Sequence, residues 1–250
     1  MIRPSSGIVV LLPVVLLTLS GRTIVAGDET PGLVLWAWER PEDLTFLAGS
    51  RTAVAFLAST IRLEGGGAAV HPRRQPLRVS TETPLVAVVR VERAGEGPTP
   101  PTAVQRAAVV AAAVEAAGLP RVSGLQLDWD AVTSERDAYT EILEELRRRL
   151  PRFRLSITAL ASWCSGDPWI SGLPIDEAVP MLFEMGADGP AIRRALERGL
   201  DFSLPLCRSS VGLSTRELPG RLPPERRLWL FHGRPWTEAA FAEATREVSR

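Results

Sequence analysis

The segment Gly124-Leu-Gln-Leu-Asp128-Trp-Asp130 sets a carboxamide and two carboxylates at alternate positions of an otherwise apolar run. In an extended chain successive side chains point to opposite faces. Gln126, Asp128 and Asp130 then share one face, and Leu125, Leu127 and Trp129 share the other. Two crowded carboxylates do not both ionise cheaply, so one is pushed toward its acid form and can act as a general acid. An Asp at a strand end has an ordinary use as well, capping a turn or the next helix, and here a helix is expected near Ser134. Three polar residues aligned in one apolar strand favour a site over a set of caps.

The elements that would position this strand are legible as short apolar runs. They are Leu33–Trp38, Thr52–Ala58, Leu85–Val91, Gly124–Asp128, Leu155–Leu160, Ala178–Phe183, Phe202–Leu206 and Leu228–Phe231. Each has strand length and is rich in Leu, Val or aromatic residues. Helical patterns lie between them. Thr102–Ala117 is Ala-rich and stopped by Gly118, and Ser134–Leu150 ends in Arg147-Arg148-Arg149, which suits the negative end of the helix dipole. Pro190–Arg198 and Thr237–Val248 complete the set, with a short first helix at Pro41–Leu47. Strands alternating with helices predict an α/β fold, a TIM-like (β/α)8 barrel. A flavodoxin-like open sheet is the alternative. The barrel is expected to be irregular. Gly65-Gly66-Gly67 predicts a β-hairpin insertion after strand two, joining Ile61–Glu64 to Leu77–Val79. Ala161–Ile175 and Arg208–Arg226 are Pro- and Gly-rich and are expected as loops. In such a barrel the polar face of strand four would point inward, near the C-terminal mouth where barrel active sites sit.

Composition narrows the chemistry. The 29 basic and 29 acidic side chains balance over 250 residues, which gives no support for nucleic-acid binding through phosphates. The chain contains no Lys and no Asn, so a Schiff-base lysine, a Walker lysine and an N-glycosylation sequon are all excluded. With His71 and His232 alone, a multi-histidine zinc site is excluded too, and no metal or cofactor is expected. No Gly-x-Ser-x-Gly elbow points to a serine hydrolase. Residues 1–26 combine Arg3, the apolar run Ile8–Leu19 and small residues ending at Ala26, the pattern of a cleaved secretory signal. Arg22 interrupts the apolar stretch before it reaches the roughly 20 residues of a membrane span. The expectation is an exported protein, periplasmic or extracellular, with one barrel domain over 27–250 and no stable membrane span after cleavage.

The strand-four segment resembles the Gly-x-Asp-x-Asp-Trp-Glu signature of chitinase-like family-18 glycoside hydrolases. Gln126 stands at the first Asp, Asp128 at the second and Asp130 at the catalytic Glu. Met181-Leu-Phe183-Glu184 is similar to that family's strand-six Met-x-Tyr-Asp segment. A broader resemblance, carried by Leu35–Arg40, Leu127–Asp130, Leu155–Cys164, Pro174–Met181 and Gly212–Thr215, is to a bacterial family of unknown function, domain-of-unknown-function family 3142. Together these imply a glycosidase-type barrel acting on an oligo- or polysaccharide, with Asp130, Asp128 and Glu184 as candidate catalytic residues. The departures matter. Asp is one methylene shorter than Glu, and Phe183 lacks the hydroxyl that the family uses on an acetamido group. The other large glycosidase plan, a Glu ending strand seven, finds no carboxylate after Asp201 in Phe202–Cys207.

Further candidates follow from placement. Trp36, Trp38, Trp163 and Trp169 offer flat faces for sugar rings, and Met181 and Phe183 line the strand-six end. Arg90 on strand three would pair with Asp128 and keep it charged while Asp130 holds its proton. His232 ends strand eight and is a candidate substrate contact. Cys164 after strand five and Cys207 at the end of strand seven would share one rim, in an oxidising setting if the chain is exported. A disulfide and a pair of buried thiols both fit. Three functions fit the sequence: a glycoside hydrolase, a non-catalytic saccharide-binding barrel, and a cell-envelope interaction protein. Oligomeric state is not encoded in any motif.

Overall fold

The computed structural model describes residues 32–95, 100–222 and 224–249. The expected signal segment lies outside them. Eight parallel strands run in chain order: β1 (Leu33–Ala37), β2 (Thr52–Glu64), β3 (Leu85–Ala94), β4 (Val122–Asp128), β5 (Arg154–Leu160), β6 (Glu177–Met181), β7 (Ser210–Ser214) and β8 (Arg227–Phe231). Each pairs with its sequence neighbour, and β1 pairs with both β2 and β8, which closes the barrel. Four α-helices pack outside: α1 (Ala103–Ala117), α2 (Arg136–Arg149), α3 (Gly189–Glu197) and α4 (Glu238–Val248). They follow β3, β4, β6 and β8, so the barrel is TIM-like with half of its helices replaced by other connections.

Alternation divides the apolar residues between two cores. One fills the layer between strands and helices, with Leu125, Leu127 and Trp129 of the β4 segment in it. The other fills the lumen and is built on Val34, Trp36, Ala55, Val88, Val179 and Trp229. Trp36 crosses the lumen because β7 offers Gly212 there. A Cβ at that position would lie 2.9 Å from the indole ring. The helices begin as their sequences dictate. Thr102 accepts from the Gln105 N–H while the Gln105 side chain accepts from the Thr102 N–H, a reciprocal cap on α1.

Three expectations are corrected. Strand seven is Ser210–Ser214, not Phe202–Leu206. The earlier run is more apolar, but Pro205 cannot donate to a central ladder, and Pro205–Cys207 forms a 3-10 turn instead. The real strand is hard to see because its lumen positions, Ser210, Gly212 and Ser214, are small and polar. The hairpin partner of β2 is Gly67–Pro72, not Leu77–Val79, with Ile61 opposite Val70 and Glu64 opposite Gly67. Leu77–Val79 pairs in parallel with Glu42–Leu44. That short ladder takes the place of the expected first helix, and only a 3-10 turn at Thr45–Leu47 remains of it. Among the described residues no helix is long and apolar enough to cross a membrane.

Candidate active site

Asp128 is the last residue of β4 and lies opposite Arg90 of β3. Thr158 of β5 donates its hydroxyl to Asp128 Oδ1 at 2.7 Å, and Arg90 Nη1 lies 3.5 Å from Asp128 Oδ2. Arg90 is held more closely by Glu92, Nε to Oε1 at 2.8 Å, and its guanidinium sits 5.6 Å from the centre of the Trp38 ring. Asp130 follows two residues later, past the strand end and exposed. Between them Trp129 points outward and packs on Tyr139 of α2, ring centres 4.9 Å apart.

These residues border an open cavity of ≈ 370 Å³ at the C-terminal end of the barrel. Its size falls in the range of small-molecule sites. Aromatic residues line it: Phe183 and Phe231 stack at 5.9 Å with planes 9° apart, and Trp38 meets Phe231 edge-on at 6.0 Å. Four carboxyl groups line it too, those of Asp128, Asp130, Glu184 and Asp188. Glu184 sits in the left-handed backbone region at φ 52°, and its N–H donates to Glu217 Oε2 at 3.2 Å. That fixes the bend carrying Phe183 and Glu184 out of β6. No group of His, Cys, Asp and Glu among the described residues is arranged to hold a metal ion.

Loss of hydration raises both aspartates, the buried Asp128 and, through its protein neighbours, Asp130, whose outer side stays exposed. Taking Asp128 out of water raises its carboxyl above the ordinary value, and the Thr158 bond and Arg90 offset this only in part. Burial also raises Asp130, Arg90 opposes it, and the charge of Glu184 adds to it. The expected Arg90–Asp128 contact is present, but the shift of Asp128 runs against the expected division in which Asp130 alone is protonated. Both carboxyls are pushed toward the acid form, because Arg90 is shared with Glu92 and is too far from Asp128 to outweigh burial.

The cavity gathers Asp128, Asp130, Glu184, Trp36, Trp38, Met181, Phe183 and Arg90 from the sequence candidates. The rest lie elsewhere. Gln126 faces the lumen but is fully buried below the cavity, accepting from Trp36 Nε1 at 2.8 Å. It is not among the residues lining the cavity, and its Nε2 is buried with no hydrogen-bond partner among the described residues. Trp163 and Trp169 are not a platform at the mouth. They meet edge-on at 5.0 Å in the outer layer, where Trp169 also packs on Tyr139 and under Arg136. The loop after β5 folds down the outside of the barrel, so its tryptophans join the α2 core. His232 is likewise off the cavity: its Nδ1 is 2.8 Å from Thr215 Oγ1 and its ring packs on Trp236. Cys164 and Cys207 form a disulfide with Cα atoms 5.8 Å apart. The shared-rim rationale is corrected, since Cys207 precedes β7 instead of ending it.

Thr158, Ser162, Asp188 and Phe231 also line the cavity and were not singled out from sequence. Thr158 and Phe231 had a usable signal, alternation along β5 and β8. Asp188, in the turn before α3, had none. With strand seven relocated, Glu217 becomes the carboxylate after it. Glu217 is committed to an ion pair with Arg193 and to the Glu184 N–H, which hold its carboxyl low.

Residues 81–182 match the family described as Domain of unknown function (DUF3142). No curated protein matches the sequence. Among solved structures the chain is similar to a candidate Chitinase A from Streptomyces coelicolor, at 10% identity and a TM-score of 0.52 over 87% of this chain and 95% of that one. A fungal endo-beta-N-acetylglucosaminidase of glycosyl hydrolase family 18 matches at 14% identity and a TM-score of 0.43, over 86% and 84% of the two chains. The first of these shares the TIM-like barrel fold of this chain.

Proposed function

We propose that the protein acts on a saccharide at the barrel mouth, as a glycoside hydrolase with Asp130 as general acid and Glu184 as the second carboxylate. One observation carries this reading: one cavity is lined by Asp130 and Glu184 together with Trp38, Phe183 and Phe231. A sugar ring has apolar C–H faces that suit aromatic surfaces and hydroxyls that suit carboxylates. Partial desolvation and the charge of Glu184 raise the Asp130 carboxyl above its ordinary value against the pull of Arg90, the direction wanted of an acid that must protonate a leaving oxygen. In the step assigned here, the bond from the anomeric carbon to the glycosidic oxygen breaks and that oxygen takes the Asp130 proton. Glu184 either attacks the anomeric carbon or takes a proton from the attacking water. A separation of about 5 Å between the carboxyl groups selects retention, and about 6.5–9.5 Å selects inversion. The disulfide supports an exported protein, since such bonds persist in oxidising compartments.

A second reading, a saccharide-binding barrel without turnover, draws support from Asp at the acid position and from Phe183, which brings no hydroxyl to the site. The two readings separate on one experiment. The protein lacking residues 1–26 is screened against a polysaccharide panel for binding and for release of reducing ends. Asp130→Asn should then lower turnover by about 10²–10⁴-fold and leave binding and unfolding midpoint unchanged. Full activity in Asp130→Asn rejects the acid assignment. Binding by the wild type with no turnover at any pH favours the second reading.

A further inference from the structure

We propose that the saccharide taken by this cavity carries protonated amino groups, so that the mouth selects cationic oligosaccharides. The inference rests on the reading of the mouth as a saccharide site and narrows it by charge. Four carboxylates border the cavity, and the guanidinium among them, Arg90, is already engaged by Glu92 and Asp128. Among the described residues the side chains of Asp130, Glu184 and Asp188 enter no ion pair, although Glu135, Glu177 and Glu217 elsewhere are each met by arginine. Glu184 and Asp188 thus face the cavity without an ion-pair partner, while Asp130 feels Arg90 without pairing with it. Hydroxyls can donate hydrogen bonds to them but cannot offset their charge, whereas an ammonium does both.

The aromatic residues of the lining favour the same charge. The faces of Trp38, Phe183 and Phe231 present negative π density, which attracts cations. Trp38 already shows this, with the Arg90 guanidinium over its ring. A sugar in this cavity can turn its C–H face to the rings and an amino substituent to Glu184 and Asp188. A uronic or sulfated sugar in the same place meets uncompensated negative charge. The crowding acts on the protein too, since Glu184 pushes Asp130 toward its acid form, and a bound ammonium relieves that repulsion.

The test is calorimetric titration of the protein with a glucosamine hexamer, its fully N-acetylated counterpart and a cellulose-type glucose hexamer. It is run at about pH 5.5, below the ordinary amine range of about 7.7–8.0, at about 50 mM and about 500 mM NaCl. The glucosamine hexamer should bind about tenfold more tightly than either neutral hexamer at low salt, and the margin should shrink at high salt. Asp188→Asn should weaken the glucosamine hexamer about threefold and leave the neutral hexamers within about twofold, in keeping with one exposed charge pair. Equal or tighter binding of a neutral hexamer, or no selective loss in Asp188→Asn, overturns the charge inference and leaves the saccharide reading intact. Binding of no hexamer overturns the saccharide reading and the charge inference with it.

Discussion

At the base of the barrel Glu177 faces the lumen and meets Ser210 Oγ, Arg227 Nη1 at 2.6 Å and Arg154 Nη2 at 3.3 Å. At the mouth, at the other end of the barrel, Asp130, Glu184 and Asp188 border the open cavity and enter no ion pair among the described residues. Both ends place carboxylates inside a barrel, yet they are solved differently. At the base every lone pair of a buried anion is answered, as burial of charge demands. At the mouth the carboxyls of Asp130, Glu184 and Asp188 are exposed and enter no ion pair among the described residues. The paired end holds strands β5 to β8 in register. The unpaired end is free to bind and to move protons. Trp36 and Gln126, bonded to each other across the lumen, separate the two.

The largest effect on this contrast should come from the base. Glu177→Ala leaves Arg227, which is almost wholly buried, short of its carboxylate. Breaking a buried pair by removing one partner costs about 3–5 kcal/mol. Chemical denaturation should show a loss of that order, and a loss below about 1 kcal/mol would mean that the base is as loosely organised as the mouth.

A smaller effect of opposite sign is expected at Asp128. Its folded carboxyl is raised above the unfolded value of 3.8 by burial. As pH rises through the interval between those two values the native state holds more protons than the unfolded chain, so stability falls. At neutral pH the folded protein therefore carries the cost of a buried charge. Asp128→Asn removes that cost while its Oδ1 still accepts from Thr158. Urea midpoints should be higher for the variant at neutral pH, with the gain fading as pH drops toward about 4. A variant less stable than wild type by the same margin at both pH values would place Asp128 with the structural charges of the base.

Much of this contrast was legible in the sequence and some was not, for physical reasons. The period-2 pattern of Leu125–Asp130 gave the inward face of β4 directly, because one strand buried on both sides leaves only alternation to sort polar from apolar. Thr102, Gly118 and Arg147–Arg149 marked helix ends through capping and dipole chemistry, which are local. Strand β7 was missed because its inward residues are small to admit Trp36, a demand set by a strand far away in sequence. Trp163 and Trp169 were misplaced for a similar reason. Both the mouth and an outer core can use an aromatic residue, and only the path of the loop after β5 decides between them. Glu177 carried no signal at all, since a Glu starting a strand looks like surface until Arg154 and Arg227 are brought beside it.

The central claim is that the mouth, and not the tryptophan cluster outside the barrel, binds the saccharide. Two aromatic substitutions divide these regions. Trp38→Ala removes one ring of the cavity wall, and Trp169→Phe alters the outer cluster while keeping an aromatic core residue. Titration of both variants with the saccharide bound by wild type tests the claim most directly. The account predicts that Trp38→Ala weakens binding about tenfold or more, as loss of an aromatic anchor does, while Trp169→Phe binds as wild type. Unchanged affinity in Trp38→Ala, or a loss confined to Trp169→Phe, would contradict it.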